Sequence, residues 1–440
     1  MKYYLAECED HIHEKYQLTL MKASIFVTVL YLVSCFGVAQ AQPSPGDLFK
    51  EYTWHNEWGD CNGALRVGGK LDYQVQGMVI HYKDKGLIVP PFQVDLKKAI
   101  KAELVVEKML CHGGTKGLRV SINGKDPVPI PEAVHIPRPQ SDYAHHYNAI
   151  VPLALSDLKP GNENTFRFEV DTSGQGWPQN LLYGMILRIY YEDEVLQRRG
   201  RITYPKKGAT LGEHSSIWMW APDVMQIKEV NLIGYYEEAD LEGDGLYRQW
   251  HYAYHKGEIY NHIGTFPGPP FEFKWSTDWL PDQSEAMKLA AFIHRNDGFI
   301  YMTGQVDDLN LERSGISVEL CKPYRRPKGW FTRNGESEER FQVKGDLEQA
   351  VDAKMVFRSW SPGYFNGIYL NDFIVFTKDG PKYAYYEHHI PIEDLSVLKQ
   401  GENKLKTGKT PPHDGQVVHG VEIQWPGIMV LIKYKTRTED

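Results

Sequence analysis

Cysteine is scarce in this chain, which has five in 440 residues. Two of the five fall within the first 41 residues, so Cys61, Cys111 and Cys321 remain beyond them. Three cysteines are too few for a disulfide framework, although an oxidising compartment would allow one bridge, between Cys61 and Cys111. The chain has no Cys-x-x-Cys pair, which argues against structural zinc of the zinc-finger type.

The chain also lacks the short motifs of several enzyme classes. It has no Gly-x-Ser-x-Gly nucleophile elbow and no glycine-rich phosphate-binding loop. An excess of positive charge is absent as well, because the formal net charge is -8. Nucleic acid and anionic membrane surfaces are therefore not expected as partners. No motif assigns a catalytic residue, so whether the protein is an enzyme stays open.

Helical periodicity is almost absent, and this decides the fold class. The chain between residues 230 and 303 consists of short apolar or alternating runs, separated by clusters of Gly, Pro, Asn and Asp. Such runs occupy residues 230–236, 270–275, 287–293 and 298–303. Their length and spacing are typical of the strands of a β-sandwich. The sequence therefore predicts an all-β protein.

Residues 1–41 are predicted to be a leader with a secretory signal peptide. Lys22 precedes an apolar run over residues 23–38, which ends in Ala39-Gln40-Ala41. The run is short for a membrane span. Leu32 to Cys35 resembles the bacterial lipobox. Three fates of the leader therefore stay open: cleavage after Ala41, attachment of a lipid to Cys35, which would be the one link to a membrane, or retention as an anchor. Each alternative exports the protein to the periplasm, the outer surface or the medium.

The two flanks of the chain repeat one another. Phe92-Gln93-Val94 is matched by Phe341-Gln342-Val343, and Val151-Pro152 is matched by Ile390-Pro391. In both flanks the proline is followed by a Glu-Asn pair at the same distance. Ordered correspondences of this kind predict a duplicated domain. The predicted division is a leader over 1–41, a first sandwich over 42–200, a central domain over 201–315 and a second sandwich over 316–440.

Each flank ends in an extended strand, a turn and a buried apolar strand. The turns are Leu158-Lys159-Pro160-Gly161 and Leu398-Lys399-Gln400-Gly401, each leading to Glu-Asn. This ending resembles the galactose-binding-like jelly rolls of carbohydrate-binding modules and of accessory domains in glycoside hydrolases. The resemblance implies two jelly rolls and a carbohydrate ligand. The buried final strand follows from its nearly continuous apolar run.

The central domain resembles bacterial immunoglobulin-like domains. The residues that carry this resemblance are Pro270 to Trp275, then Leu289 to Ile293, then Asn296-Asp297-Gly298. It implies the order jelly roll, immunoglobulin-like sandwich, jelly roll, and it carries no catalytic motif. We expect the core of the central domain to contain Trp275, Leu289 and Phe292.

The stretch from Trp54 to Asn62 is the densest polar and aromatic segment, and the second copy lacks it. Trp54 and Trp58 are four residues apart, which places both on one face of a strand as stacking platforms for sugar rings. Their predicted hydroxyl-binding partners are Glu57, Asp60 and Asn62. Catalysis by Glu57 and Asp60, or an ordinary edge strand with a turn, are the alternatives.

Asp240, Glu242 and Asp244 match the first half of a calcium-binding loop. The second half fails, because His251 stands where the EF-hand requires a bidentate Glu. An acidic hairpin turn is therefore the first interpretation, and a structural calcium, the one cofactor considered, is the second.

Two adjacent histidine pairs, His145-His146 and His388-His389, also suggest metal binding. Neighbouring residues on a strand face opposite sides, so neither pair chelates one ion by itself. At most one histidine of each pair faces a site.

The 27 Tyr and 11 Trp residues favour glycan contact, since aromatic faces stack on sugar rings. We therefore predict an exported carbohydrate-binding protein that recognises a polysaccharide or glycoconjugate. A glycan-degrading enzyme, either a glycoside hydrolase or a polysaccharide lyase with its site in or beside the first jelly roll, is one alternative. A structural or assembly protein of the cell surface is the other.

Overall fold

The computed structural model describes residues 42–55, 65–68, 80–82, 87–110, 117–170, 179–196, 199–330, 332, 335–377, 380–410 and 420–436. Contacts divide the chain into a unit over Met1–Gln42 and a unit over Pro43–Asp440. Of the first unit only Gln42 is described, and every described strand belongs to the second. The predicted signal peptide and the predicted lipid site at Cys35 lie outside the described residues, as does the bridge between Cys61 and Cys111. Cys321 is buried and free.

The first flank forms two largely antiparallel sheets that share a core. Its strands are β1 (Leu48–His55), β2 (Leu65–Gly68), β3 (Ile80–Tyr82), β4 (Leu87–Val94), β5 (Ala99–Leu110), β6 (Leu118–Ile122), β7 (Val128–Pro129), β8 (His145–Leu153), β9 (Gly161–Val170) and β10 (Gln179–Tyr191). One sheet has the order β1-β10-β5-β8 and the other the order β4-β9-β6-β7. We call these eight strands sandwich 1. Leu104 and Leu187 of the first sheet pack in one core with Val120 and Phe166 of the second.

The central part continues the first sheet. Its strands are β11 (Arg201–Tyr204), β12 (Thr210–Leu211), β13 (His214–Trp220), β14 (Ile227–Glu237), β15 (Arg248–His251), β16 (Ala253–His255), β17 (Glu258–Tyr260), β18 (Gly264–Phe266), β19 (Glu272–Ser276), β20 (Met287–Arg295), β21 (Phe299–Met302) and β22 (Val306–Leu311). The link is β1, where Phe49 pairs with Tyr190 of β10 on one side and with Ile300 of β21 on the other. One hydrophobic core runs from Leu48 to Leu309 as a result.

The last flank repeats the strand order of the first. Its strands are β23 (Ile316–Cys321), β24 (Ser337–Val343), β25 (Ala350–Trp360), β26 (Ile368–Leu370), β27 (Phe373–Phe376), β28 (Tyr385–Pro391), β29 (Gly401–Thr407), β30 (Glu422–Ile423) and β31 (Met429–Lys435). One sheet has the order β23-β31-β25-β28 and the other β24-β29-β26-β27. We call these eight strands sandwich 2. Its core is separate and includes Phe341, Met355, Leu405 and Ile432.

Sandwich 2 contacts the rest of the molecule through the outer face of its first sheet. Val356 and Leu431 on that face pack against Ala239 and Leu241, which follow β14 in the central part. Trp360, at the end of β25, packs against Leu181 and Tyr183 of β10. The outer faces of β10 and β25 are therefore buried at these contacts, which explains why both strands contain apolar runs.

The prediction of an all-β protein is confirmed, with several antiparallel sheets in sandwich-like domains. The described residues contain no α-helix, and short 3-10 turns occur at Gln140–Asp142, Leu155–Asp157, Asp193–Val195, Val224–Gln226, Leu347–Gln349, Pro362–Tyr364 and Leu395–Val397. Within the described ranges there is no helix with the length and apolar character that crossing a membrane requires. The predicted domain boundaries, and duplication as the origin of the repeat, stay predictions.

The three expected core residues of the central domain are buried, as predicted. Trp275 and Leu289 belong to the core that β1 connects to sandwich 1. Phe292 lies on the opposite face of β20 from Leu289, where its ring packs edge-on against Phe49 and Tyr252, with centroids 6.0 and 5.3 Å away. Strand β20 is therefore buried on both faces.

Candidate functional site

A cleft of about 400 Å³ lies between the central part and sandwich 2. The central part forms most of its lining, through β19 and the loops that follow β14, β17 and β19, and β28 of sandwich 2 adds Glu387 and His389. The aromatic and imidazole side chains of the lining are Tyr236, His251, His262, Phe273, Trp275, Trp279 and His389.

Aromatic rings stack in sequence along the central wall of the cleft. The His251 and Tyr236 rings are 4.8 Å apart and nearly parallel, and Trp275 lies 5.4 Å beyond Tyr236. Trp279 is half-buried, and its ring is contacted by two ammonium groups of sandwich 2, those of Lys354 and Lys433, at 4.5 and 4.3 Å from the centroid. These cation–π contacts join the two walls.

Ionisable groups in the lining have pKa values that burial and neighbouring charges shift in different directions. Burial raises the pKa of Glu238, and the charge of Glu242 raises it further against the opposing effect of His251. Burial alone would lower the pKa of His251, but the carboxylate of Glu242, 3.2 Å away, raises it to about 9. His251 is therefore an imidazolium near neutral pH, and Glu242 is its counter-ion.

Glu387 is held at the cleft by Arg358 of the neighbouring strand. Arg358 Nε and Nη2 both donate to Glu387 Oε2, at 3.0 and 2.7 Å. His389 Nε2 lies 2.7 Å from the other carboxylate oxygen. Burial raises the pKa of Glu387, but the charge of Arg358 outweighs this and lowers it to about 2. Glu387 is consequently an anion over the whole physiological range.

Hydrogen bonds continue from Arg358 into the interior between the two sandwiches. Arg358 Nη1 donates to Tyr260 Oη at 2.9 Å, and its guanidinium lies 4.5 Å from the centroid of the Tyr260 ring. Tyr260 Oη in turn lies 3.1 Å from His146 Nδ1. Tyr260 belongs to the β16–β17 hairpin, which therefore stands between the outer faces of β8 and β25.

The chain of contacts ends in a cluster of Glu107, His146 and His255. Glu107 Oε1 lies 2.6 Å from His255 Nδ1 and 3.3 Å from His146 Nε2, and Glu107 Oε2 accepts from the backbone N–H of Lys256 at 2.6 Å. Burial raises the pKa of Glu107, but the two histidines outweigh it and lower the pKa. Burial lowers the pKa of His146 to about 4 although Glu107 opposes it.

Strand alternation explains which histidine of the first pair enters this cluster. Met109 of β5 pairs with His146 of β8, so His146 shares its face with Glu107, two residues away. His145 faces the other side, where its Nε2 lies 3.7 Å from Glu132. One member of the pair therefore faces the cluster, as the period of a strand requires. In the second pair, His388 stacks on Phe357 in sandwich 2, and His389 contacts Glu387.

The glycan-contact residues expected from sequence are described only in part. Trp54 is half-buried in β1, pairs with Met185 of β10 and packs against the core of sandwich 1. The other four, Glu57, Trp58, Asp60 and Asn62, lie outside the described residues. The β16–β17 hairpin approaches β1 next to Trp54, since a Cβ on Gly257 would come within 2.6 Å of Thr53 Cγ2. Glycan contact by the Trp54–Asn62 stretch stays a prediction.

The three predicted calcium ligands are buried in the loop after β14. Asp240 accepts hydrogen bonds from the backbone N–H groups of Gly243 and Gly245, both at 2.8 Å. Asp244 accepts from the Leu246 N–H at 2.9 Å, and Glu242 pairs with His251. Burial together with the neighbouring carboxylates raises the pKa of Asp240 and raises that of Asp244 to about 6. The loop is thus stabilised by its own N–H groups, and calcium binding stays a prediction.

Sequence reasoning missed the partners that the fold brings to Glu387 and His146. Arg358, Tyr260 and His255 come from three strands, and no local motif connects them. One signal was present in the repeat. Glu107 is eight residues after Ala99, as Arg358 is after Ala350. Oppositely charged residues thus stand at equivalent positions of the two copies, which suggests that the copies face one another.

No family model matches the chain, and no curated protein matches it. Solved structures match it at low similarity. A β-porphyranase of glycoside hydrolase family 86 from the human gut bacterium Bacteroides plebeius is 11% identical over 51% of this chain and 35% of that chain, with a TM-score of 0.20. The Endo-D glycoside hydrolase domain from Streptococcus pneumoniae is 11% identical over 59% and 36%, with a TM-score of 0.22. The fibronectin(III)-like modules of Clostridium thermocellum CbhA are 12% identical over 43% and 77%, with a TM-score of 0.17.

The chain spans about a third of the length of these two glycoside hydrolase chains. TM-scores of this size assign it to no family and do not bear on its function. The chain is an all-β, multi-sheet protein that resembles these β-domains and fibronectin-like modules at a distance.

Proposed function

We propose that the protein binds a glycan in the cleft between the central part and sandwich 2. The observation that carries this proposal is the composition of the cleft wall. Half-buried Phe273 and Trp279 offer aromatic surface beside the ionised carboxylate of Glu387. Aromatic faces stack on the C–H faces of sugar rings, and carboxylates accept hydrogen bonds from sugar hydroxyls.

The size of the cleft limits what it holds. Ligand pockets usually measure about 300–1,000 Å³, so 400 Å³ is near the small end of that range. A terminal sugar or a short segment of a longer chain fits this volume better than an extended polymer. Glu387 and His389 lie on β28 of sandwich 2, and Trp279 lies on the opposite wall in the central part. Binding in the cleft therefore requires both the central part and sandwich 2.

The proposal keeps the ligand class that the sequence predicted and places it at another site. We also propose that the protein is exported. We propose further that its two sandwiches are galactose-binding-like jelly rolls and that the domain between them is immunoglobulin-like. Trp54 remains the rival platform. Single substitutions in the cleft and at Trp54 distinguish the two candidate sites.

The test is a glycan-array screen of the whole protein, followed by titration of any ligand found. Trp279→Ala should weaken binding by about 1 to 3 kcal/mol, the loss seen when an aromatic anchor is truncated. The matched control is Trp218→Ala, since Trp218 lies on β13 with 50% of its surface exposed and is not part of the cleft. Thermal melting of each variant reports whether the fold is intact.

Unchanged affinity in Trp279→Ala would reject the cleft as the binding site. Loss of binding in Trp54→Ala with Trp279→Ala unaffected would return the site to sandwich 1. Failure of every glycan to bind would reject the ligand class and leave assembly at the cell surface as the remaining alternative.

Cleavage of the bound glycan is a second candidate, and one observation favours it. Two carboxyl groups of the same cleft have pKa values shifted apart, with that of Glu238 raised and that of Glu387 lowered to about 2. Such a pair supplies a protonated acid and an ionised partner at one pH. A reducing-end assay on the bound glycan tests this. Glu238→Gln should abolish cleavage while binding persists, and the absence of any product from the unmodified protein would reject the candidate.

A further inference from the structure

We infer that Glu107, His146 and His255 form a binding site for a divalent transition-metal ion of the zinc class. Each offers one ligand atom, and these atoms all lie within 4.8 Å of one another. Glu107 Oε1 contacts both His146 Nε2 and His255 Nδ1. Two imidazoles and one carboxylate are a donor set that zinc accepts, whereas calcium and magnesium prefer oxygen alone. The site goes beyond glycan binding and does not depend on it.

The distances between the donor atoms are close to those of a metal site. Metal–ligand bonds of about 2.0–2.2 Å in a tetrahedron place neighbouring donors roughly 3.3 Å apart. Glu107 Oε1 and His146 Nε2 are 3.3 Å apart, and Glu107 Oε1 and His255 Nδ1 are 2.6 Å apart. The His146 and His255 rings are nearly perpendicular, with centroids separated by 5.8 Å, so both aim at the carboxylate without stacking. The shorter Glu107–His255 contact is a hydrogen bond, and it must lengthen when an ion binds both residues.

An independent feature of His146 also indicates a ligand. Its Nε2 atom is buried and has no partner with hydrogen-bond geometry among the described residues, because Glu107 Oε1, at 3.3 Å, is at ion-pair distance only. Buried polar atoms nearly always have a well-formed hydrogen bond, so a buried imidazole nitrogen that faces a carboxylate oxygen without one requires an explanation. A metal ion held between His146 Nε2 and Glu107 Oε1 supplies that partner.

The groups behind the donors are arranged as in other metal sites, where outer hydrogen bonds fix the orientation of the ligands. His146 Nδ1 contacts Tyr260 Oη at 3.1 Å, and Glu107 Oε2 accepts from the Lys256 backbone N–H. Arg358, a positive charge that acts on His146, contacts Tyr260 and is compensated by Glu387. Glu107 is the charged group of the proposed site itself.

An ion can reach the site from solvent at His255, because 27% of the surface of its side chain is exposed. Three protein ligands leave the fourth position of a tetrahedral ion open to water or to another small ligand. On the opposite face of the same strands, the described residues form no comparable cluster, and the ammonium of Lys108 pairs there with Glu132 at 2.8 Å. The inference is thus confined to one face of β5 and β8.

The experiment is a zinc titration of the whole protein by calorimetry, after chelation and dialysis, with cobalt as a spectroscopic substitute. We expect one zinc ion per chain, and for cobalt the visible absorption of a four- or five-coordinate ion. Glu107→Gln and His255→Ala should each weaken zinc binding at least tenfold. His214→Ala is the matched control, since it removes an exposed histidine on β13 and should bind zinc like the unmodified protein.

A melting experiment separates loss of the site from loss of the fold. With chelator present, His255→Ala should melt close to the unmodified protein, and zinc should raise the melting temperature of the unmodified protein alone. Should Glu107→Gln fail to fold, His255→Ala decides the question. The inference is overturned if the unmodified protein takes up no zinc, or if His255→Ala binds zinc with undiminished affinity.

Discussion

His146 and Tyr385 occupy equivalent positions in the two sandwiches, and their rings are in contact, with centroids 4.7 Å apart. Each stands six residues before a proline at or next to the end of its strand, Pro152 in β8 and Pro391 in β28. The strand pairing is also equivalent, since Met109 pairs with His146 and Trp360 with Tyr385. The repeated strands therefore meet through corresponding faces, with the β16–β17 hairpin beside them.

Glu387 should stabilise the fold chiefly as the counter-ion of Arg358, which is buried. We expect Glu387→Gln to lower the free energy of unfolding by about 2 to 4 kcal/mol, because it leaves a buried guanidinium without a compensating charge. Urea unfolding at pH 7 measures this. The control is Glu402→Gln, which removes the exposed partner of Arg340 and should change stability little. Equal effects of the two substitutions would contradict the assignment.

Phe292→Ala should cost about 3 to 5 kcal/mol of unfolding free energy, because it leaves a cavity between β20 and the aromatic side chains of Phe49 and Tyr252. The matched control is Phe373→Ala, since Phe373 is 58% exposed on β27. Chemical denaturation of both variants gives the comparison. A loss below about 1 kcal/mol for Phe292→Ala would mean that the central part packs differently.

The ion pair of His251 and Glu242 should make stability fall at alkaline pH. The pKa of His251 is about 9 in the folded protein and 6.5 for an ordinary histidine, so folding favours the protonated form. Its contribution is complete below pH 6.5 and disappears as the pH rises through 9. By linkage this amounts to about 2 to 4 kcal/mol. Unfolding at pH 6 and pH 10 should differ less for His251→Gln than for the unmodified protein, and an unchanged difference would refute the pairing.

Gly257 should tolerate a side chain less well than Gly298, although both have a left-handed backbone with φ of +79° and +83°. Alanine pays a similar conformational cost at each position, about 1 to 2 kcal/mol. At Gly257 the added Cβ also meets Thr53 Cγ2 at 2.6 Å, whereas nothing lies within 4 Å at Gly298. Gly257→Ala should therefore unfold at a clearly lower urea concentration than Gly298→Ala. Identical midpoints would place the hairpin away from β1.

The sequence by itself determined the fold class and much of the burial. Alternation of period two and clusters of turn residues are local properties, so they identified an all-β chain and the buried Trp275 and Leu289 without knowledge of the fold. The same alternation required that only one of His145 and His146 face a site, and the register of β8 against β5 agrees. Local patterns reach this far because the side-chain direction in a strand depends on the strand alone.

Only the tertiary structure decided which polar residues meet. Glu107 and His255 are 148 positions apart in the chain, and Arg358 and Tyr260 are 98 apart. Each residue taken alone fits a solvent-exposed strand face. Their contacts depend on β1 joining sandwich 1 to the central part and on sandwich 2 packing its outer sheet face against both. That packing is stabilised by burial of apolar surface over whole sheets, so it cannot be predicted from any short segment of the sequence.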